Sequence, residues 1–281
     1  MDAHLSTADG LTLRLREWPL ASARGTVLIV HGLGEHIGRY AHIAAHLNAW
    51  GWRVVGHDQR GHGASDGARG RLAHRDDLLN DLARVIDAAR PRHPGPLVLL
   101  GHSLGGLVAA RFVAAAAAPP VPLWSRPVDA LVLSSPALAT EMNTVQKLLL
   151  AVLGPLAPNL ALHNGLRPEW LSRDASVVKA YIADPRVHDR VSPRLARFIV
   201  DAGAFVIAQA PRWPVPTLLL YAGADRCVAP AGSAAFAAAA PPTRLLSHCF
   251  EALSHEIFNE PEQAEVFAML GAWLAQQSSS R

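Results

Sequence analysis

The pentapeptide Gly101-His102-Ser103-Leu104-Gly105 constrains this chain more than any other stretch, because it lies between a buried-strand pattern and a helix pattern. Before it runs Pro96-Leu97-Val98-Leu99-Leu100, a short continuous apolar segment of the kind a parallel strand shows. After it, Leu107, Val108, Ala110, Arg111, Phe112 and Val113 continue without a breaker, as a helix would. A serine at a tight strand-to-helix turn is held in a strained backbone conformation that lifts its hydroxyl out of the sheet. Glycines two positions to either side let strand and helix approach closely enough to make that turn. With Gly and Ser each near roughly 7% of residues, the bare motif arises by chance in about one chain in ten of this length. The flanking strand and helix patterns give it its weight.

The rest of the chain supplies a matching frame. Leu11, Leu13 and Leu15 alternate with polar residues and predict a half-buried strand. Thr26 to Val30 predicts a buried strand ending in His31-Gly32-Leu33-Gly34, followed by a helix over Tyr40 to Trp50 and a strand over Arg53 to Gly56. Leu78, Leu79, Leu82, Val85 and Ile86 share one face of a helix over Asp76 to Ala89, and Ala130 to Ser134 reads as a further strand. Strands recur at Thr217 to Tyr221 and Arg244 to Phe250, before a closing helix over Pro261 to Ala275. This alternation implies an α/β fold with a doubly wound, mainly parallel sheet. Between Ala137 and Gln209 no strand is expected, only helical patterns and proline-punctuated loops. The expected organisation is a core of residues 1–136 and 210–281, with residues 137–209 inserted over the carboxyl ends of the strands, where open α/β sheets bind ligands.

A serine hydroxyl needs a base to take its proton, and the base needs a third group to fix its tautomer. In a fold with this elbow the order is serine, acid, histidine. Asp225 follows the strand of Thr217 to Tyr221, and His255 lies in the loop after the last strand. His248 is a rival base, but it falls inside that strand. Glu251 and Glu256 are rival acids, but they crowd the histidine and lack a strand-end position. Asp225 beside Gly223 is also compatible with an ordinary turn. Oxyanion donors are expected at the backbone N–H groups of Leu104, after the nucleophile, and Leu33, in the loop after the early strand.

Composition narrows the function classes. The 281 residues are half apolar and 17% charged, enough for a large core, and a formal charge of +3 is not gathered into any basic run. A nucleic-acid face is not indicated, whereas a mild attraction to anionic lipid surfaces is allowed. Two cysteines provide no disulfide framework, and no apolar stretch of signal-peptide length occurs near Met1, so a cytosolic setting is expected. Gly154-Pro155 and Pro158-Asn159 interrupt the longest uncharged stretch and argue against a membrane span. His42 and His46 lack the glutamate of a zinc-protease helix, and no Gly-x-Gly-x-x-Gly follows the first strand, so neither metal nor dinucleotide cofactor is expected. His57, His62 and His102 read as structural or pocket-shaping. Cys227 reads as a small buried hydrophobe, although its alkylation would fall two residues from Asp225. Val145, Leu148, Leu149, Val152, Leu153 and Leu156 share helical spacing, and their face either packs on the core or meets an acyl chain or lipid surface.

Four segments carry a more specific likeness: His31-Gly32-Leu33-Gly34-Glu35-His36; Gly56-His57-Asp58-Gln59-Arg60-Gly61-His62-Gly63-Ala64-Ser65; Gly101 to Gly106; and Ser254-His255-Glu256 with Asn259-Glu260-Pro261-Glu262. With these the chain resembles the monoacylglycerol lipase and lysophospholipase branch of the α/β-hydrolase superfamily, over nearly its whole length except the middle block. The resemblance implies a triad of Ser103, Asp225 and His255, an oxyanion hole of Leu33 and Leu104, and a helical cap in residues 137–209. It implies a cofactor-free serine ester hydrolase acting on a monoacylglycerol, lysophospholipid or similar small lipid-like ester through an acyl-enzyme. The cap is then expected to touch a membrane surface transiently, leaving the protein cytoplasmic or peripheral. Leu104 departs from the bulky sulfur side chain the branch often carries there. That alters a pocket wall rather than the backbone donor. Two alternatives remain: a serine aminopeptidase holding the substrate amine with Glu35, Glu141 or Glu169, and a non-catalytic module binding a hydrophobic ligand.

Overall fold

Alternating and continuous apolar runs separate the edge strands of this chain from its central ones. In the computed structural model, which describes residues 2–140 and 144–277 (the side chains of 145–147 aside), Asp2–Ser6 (β1) and Thr12–Trp18 (β2) alternate in burial and pair antiparallel. Thr26–Val30 (β3) is buried throughout, as a strand covered on both faces must be. Ala41–Ala49 (α1), Arg53–His57 (β4), Asp77–Ala89 (α2), Leu97–His102 (β5), Leu104–Ala114 (α3) and Ala130–Ser134 (β6) follow in strict alternation. The middle block holds Thr144–Leu156 (α4), Leu162–His163 (β7), Ala175–Ala183 (α5), Arg190–Val191 (β8) and Pro193–Gln209 (α6). Thr217–Ala222 (β9), Pro230–Ala239 (α7), Leu245–Phe250 (β10) and Gln263–Gln277 (α8) complete the chain. The eight-stranded sheet runs β1-β2-β4-β3-β5-β6-β9-β10, with β2 antiparallel to β4 and every later pairing parallel. This is the doubly wound α/β sheet expected from the sequence.

The sheet's pleat sorts the core into two layers. Leu28 and Val30 of β3, with Leu97 and Leu99 of β5, face the α2, α3, α6 and α7 side. Val27 and Ile29, with Val98 and Leu100, face α1 and α8. The predicted stripe of α2 is buried at Leu78, Leu79, Leu82, Val85 and Ile86. Helix α6 lies against α3, burying Leu195, Phe198 and Val206 in the same layer.

Four elements escaped the sequence reading. β1 is an exposed edge strand whose short alternation has no continuous apolar run. α7 is alanine-rich and so carries almost no amphipathic signal. The middle block, expected to lack strands, contains the short β7–β8 pair, with Leu162 opposite Val191. Two residues per strand are too few to establish a period. The apolar helix of the middle block is α4, ending just after Gly154-Pro155. Its Leu148, Leu149, Val152 and Leu156 are exposed, with Leu156 at 77%. The side chain of Val145 lies outside the described residues. Among the described residues, no helix is long and apolar enough to cross a membrane.

Candidate active site

Parallel strands end on one edge of the sheet, so the loops after β3, β5, β9 and β10 converge there. The chain turns from β5 into α3 at Ser103, whose backbone stands at φ 54° and ψ −121°. A non-glycine residue held this way costs about 1–3 kcal/mol and persists only where its surroundings over-determine it. Here they do: Ser103 N–H donates to the Ser134 carbonyl at 3.0 Å, and the Ser103 carbonyl accepts from Leu107 and Ala137, each at 3.0 Å. Gly105 is obligatory, because a Cβ there would lie 2.0 Å from the Val30 carbonyl oxygen. The absent side chain lets the first turn of α3 rest on the end of β3. A Cβ on Gly32 would in turn lie 3.2 Å from Ser103 Cβ, so the β3 loop passes directly beside the serine.

Asp225 and His255 are brought together. His255 Nδ1 donates to Asp225 Oδ2 at 2.6 Å, with both side chains buried. Asp225 Oδ1 accepts the N–H groups of Cys227 and Val228 at 2.8 and 3.1 Å, fixing the carboxylate. Burial disfavours a charged His255 ring. The Asp225 charge and hydrogen bond outweigh it, helped by Glu256 and Glu35, and the imidazole pKa is raised above its ordinary value. Ser103, His255 and Leu33 line one cavity of about 460 Å³. Leu104 is buried and its side chain is not part of that wall, but its N–H opens α3 directly after Ser103. Among the described residues, neither the Leu33 nor the Leu104 N–H meets an acceptor. The rival His248 is exposed on β10, its ring against Phe250.

The sequence reading missed the ionic scaffold beneath this edge. Arg39 forks onto Glu256 at 2.6 and 2.7 Å and reaches Glu35 at 2.7 Å. Glu35 also accepts the Gly32 N–H at 2.6 Å and the Tyr40 hydroxyl at 2.7 Å. Burial opposes its ionised form, but the Arg39 charge outweighs that and holds it well below the ordinary carboxylate range. The scaffold thus ties the β3 loop to the residue after His255. The Glu35–Arg39 spacing of four was its one local signal. The middle block is tied down beside it: His188 N–H donates to the Gly34 carbonyl at 2.8 Å, and His36 Nε2 to Asp184 at 2.8 Å.

The other histidines pack or bridge. His102 Nδ1 lies 3.1 Å from the Ser134 carbonyl, and its ring is 4.7 Å from that of His255. Burial and the neighbouring His255 hold His102 at about 4, so it stays neutral. His46 stacks on Phe267 at 3.9 Å, and His42 bonds the Phe258 carbonyl. Asp225, Cys227 and His255 could offer a metal three donors within 4.8 Å of one another. Asp225 Oδ2 and His255 Nδ1 already bond each other, and burial followed by the Asp225 charge pushes the Cys227 thiol far up, away from the thiolate a metal prefers. The strained Ser103, the His255–Asp225 pair and two N–H groups with no acceptor among the described residues thus gather at one edge of the sheet.

Comparison with known proteins gives the same picture. The sequence model of a family described as "Serine aminopeptidase, S33" matches residues 21–262. A monoacylglycerol lipase of Mycolicibacterium smegmatis is 35% identical over 261 residues, spanning 91% of this chain and 90% of that protein. The human monoglyceride lipase is 31% identical over 282 residues, spanning 99% and 91%. The crystal structure of a Paleococcus ferrophilus monoacylglycerol lipase, 34% identical, superposes with a TM-score of 0.84 over 94% of this chain and 99% of that one.

Proposed function

The chain belongs to the α/β-hydrolases, in the family of serine aminopeptidase S33 and its monoglyceride lipase branch, and from that membership we propose that it cleaves monoacylglycerols or related monoacyl lipid esters. It is a carboxylic ester hydrolase, and the catalytic work falls to Ser103, His255 and Asp225. The observation that carries these roles is the 2.6 Å His255–Asp225 bond facing a cavity shared with the strained Ser103.

His255 Nε2 takes the Ser103 proton as the hydroxyl oxygen attacks the ester carbonyl. The carbonyl oxygen gains the negative charge, and the N–H groups of Leu33 and Leu104 hold it. Collapse of that intermediate expels the alcohol, which takes the proton from His255 and leaves Ser103 acylated. A water molecule then repeats the sequence: His255 removes its proton, its oxygen attacks the acyl carbon, and the fatty acid departs as the proton returns to Ser103. Asp225 keeps the His255 proton on Nδ1 and stabilises the ring while it is charged. Residues 137–209 act as the cap, and the exposed face of α4 meets the lipid surface from which substrate enters.

The aminopeptidase alternative needs a carboxylate free to hold a substrate amine. Among the described residues, each acid lining the cavity already has a cationic or histidine partner: Glu35 and Glu256 share Arg39, Asp184 has His36 and Arg186, and Asp189 has His163 and Arg190. Glu169 is exposed and does not line the cavity, and Glu141 lies outside the described residues. Ester hydrolysis needs no such group. Initial rates on monoacylglycerols, lysophospholipids, p-nitrophenyl esters and aminoacyl anilides test this, with Ser103→Ala beside the parent. Preference for monoacyl lipids, lost in the variant, is expected. Preference for anilides would move the protein to the peptidases, and rates independent of Ser103 would end the catalytic reading.

A further inference from the structure

A second cavity, of about 880 Å³, lies between α4, α6 and the end of α3, and shares no lining residue with the first. Its position follows from α3. Ser103 caps the start of that helix, and Arg111, seven residues after Leu104, stands about 10 Å further along its axis. The Arg111 guanidinium is clamped between aromatic faces, 3.9 Å from the Phe205 ring centroid and 5.4 Å from that of Trp124. Its Nη1 is buried and has no hydrogen-bond partner among the described residues. Leaving a buried charged donor unpaired is costly, so a native cation left this way among the described residues calls for an acceptor beyond them. Burial also pulls the Arg111 pKa down, against the opposing charge of Asp76.

The surroundings say what that acceptor is. Arg75, Arg194 and Arg197 line the same cavity, against the carboxylates of Asp76 and Asp201. Arg194 uses Nη1 on the Leu72 and Ala73 carbonyls, and Arg197 pairs with Asp201 at 3.2 Å on the surface. Among the described residues the positive charge therefore exceeds the negative, and the excess centres on the half-buried Arg111. The remaining wall is apolar, with Leu150, Pro155, Phe198 and Phe205. A free inorganic anion would leave that wall unused, and a neutral lipid would leave Arg111 unpaired. We propose that this cavity binds a single-chain amphiphile with an anionic head group, its carboxylate or phosphate on Arg111 and its acyl chain along the α4–α6 wall.

Sodium decanoate and decyl phosphate, each below its micellar concentration, titrated into the full chain by calorimetry, test the site, with decanol as the neutral control. One of the two anions is expected to bind once per chain. Arg111→Met should weaken it about tenfold or more, and the exposed rim change Arg197→Gln about threefold. Tighter binding of decanoate assigns the site to free fatty acid, and tighter binding of decyl phosphate assigns it to a phospholipid head group. Should Arg111→Met lose its thermal transition, Ala151→Trp, which fills the cavity from the exposed surface of α4, must weaken binding by a similar factor. Equal affinity in the parent and the Arg111 or Ala151 variants, binding of decanol as tight as that of decanoate, or no binding of either anion would overturn the assignment. Neither variant touches Ser103 or His255, so failure here leaves the catalytic proposal standing.

Discussion

Asp225→Asn removes one charge from a pair that is otherwise almost unchanged in shape. Asparagine Oδ1 can still accept the Cys227 and Val228 N–H groups, so the turn after β9 should hold and the thermal midpoint should move little. The chemistry should not survive as well. During attack on the ester His255 becomes a cation with Nδ1 2.6 Å from Asp225 Oδ2 and both side chains buried, which puts the two charge centres roughly 4 Å apart. At an effective dielectric of about 20 that attraction is worth about 4 kcal/mol. Its loss corresponds to about a thousandfold in kcat/KM. The amide NH₂ would also face His255 Nδ1 and favour the tautomer that presents N–H to Ser103, adding to the loss. The pH profile carries the same argument. His255 acts as a base only when neutral, and its pKa is raised chiefly by Asp225 against the opposing effect of burial. In the parent kcat/KM should therefore rise with pH through a value above 6.5, and in the variant the residual activity should begin its rise at lower pH. The assay is hydrolysis of a soluble p-nitrophenyl ester across pH, with calorimetric melting as the control for folding. Retention of more than about a tenth of the parent kcat/KM, or an unmoved acidic limb, would refute the role given to this pair.

Two further outcomes follow from the packing. Gly105→Ala places a methyl 2.0 Å from the Val30 carbonyl and should destabilise the chain by about 3 kcal/mol in urea unfolding, and an unchanged midpoint would remove the reason given for the glycine. Leu148→Ser with Leu156→Ser should reduce co-sedimentation with phosphatidylcholine vesicles while leaving kcat/KM on a water-soluble ester intact, since both side chains are largely exposed on α4. Undiminished vesicle binding would place the lipid contact elsewhere.

Local signals were enough to read the core of this protein. The buried runs of β3, β5, β6 and β9 and the stripe of α2 are written in periodicity, which needs no knowledge of partners. The strand-to-helix turn at Ser103, and the positions of Asp225 and His255 after their strands, are likewise properties of short stretches. What periodicity could not show was the helix of alanines at Pro230–Ala239, the exposed edge strand β1 and the two-residue pair in the middle block. Their residues bury too little, or too uniformly, to leave a pattern.

The α/β class, the elbow and the order of its candidate partners were legible along the chain, because each depends on neighbours a few residues apart. Tertiary structure alone decided that Arg39 would join Glu35 to Glu256, residues more than two hundred positions apart along the chain. It alone turned Glu35 from a candidate amine ligand into an anchor for Gly32, and left Arg111 between two aromatic rings with no acceptor among the described residues. Charges find partners through space, and a buried charge is defined by the partners it finds or lacks. No spacing along one chain encodes that before the sheet brings its edges together.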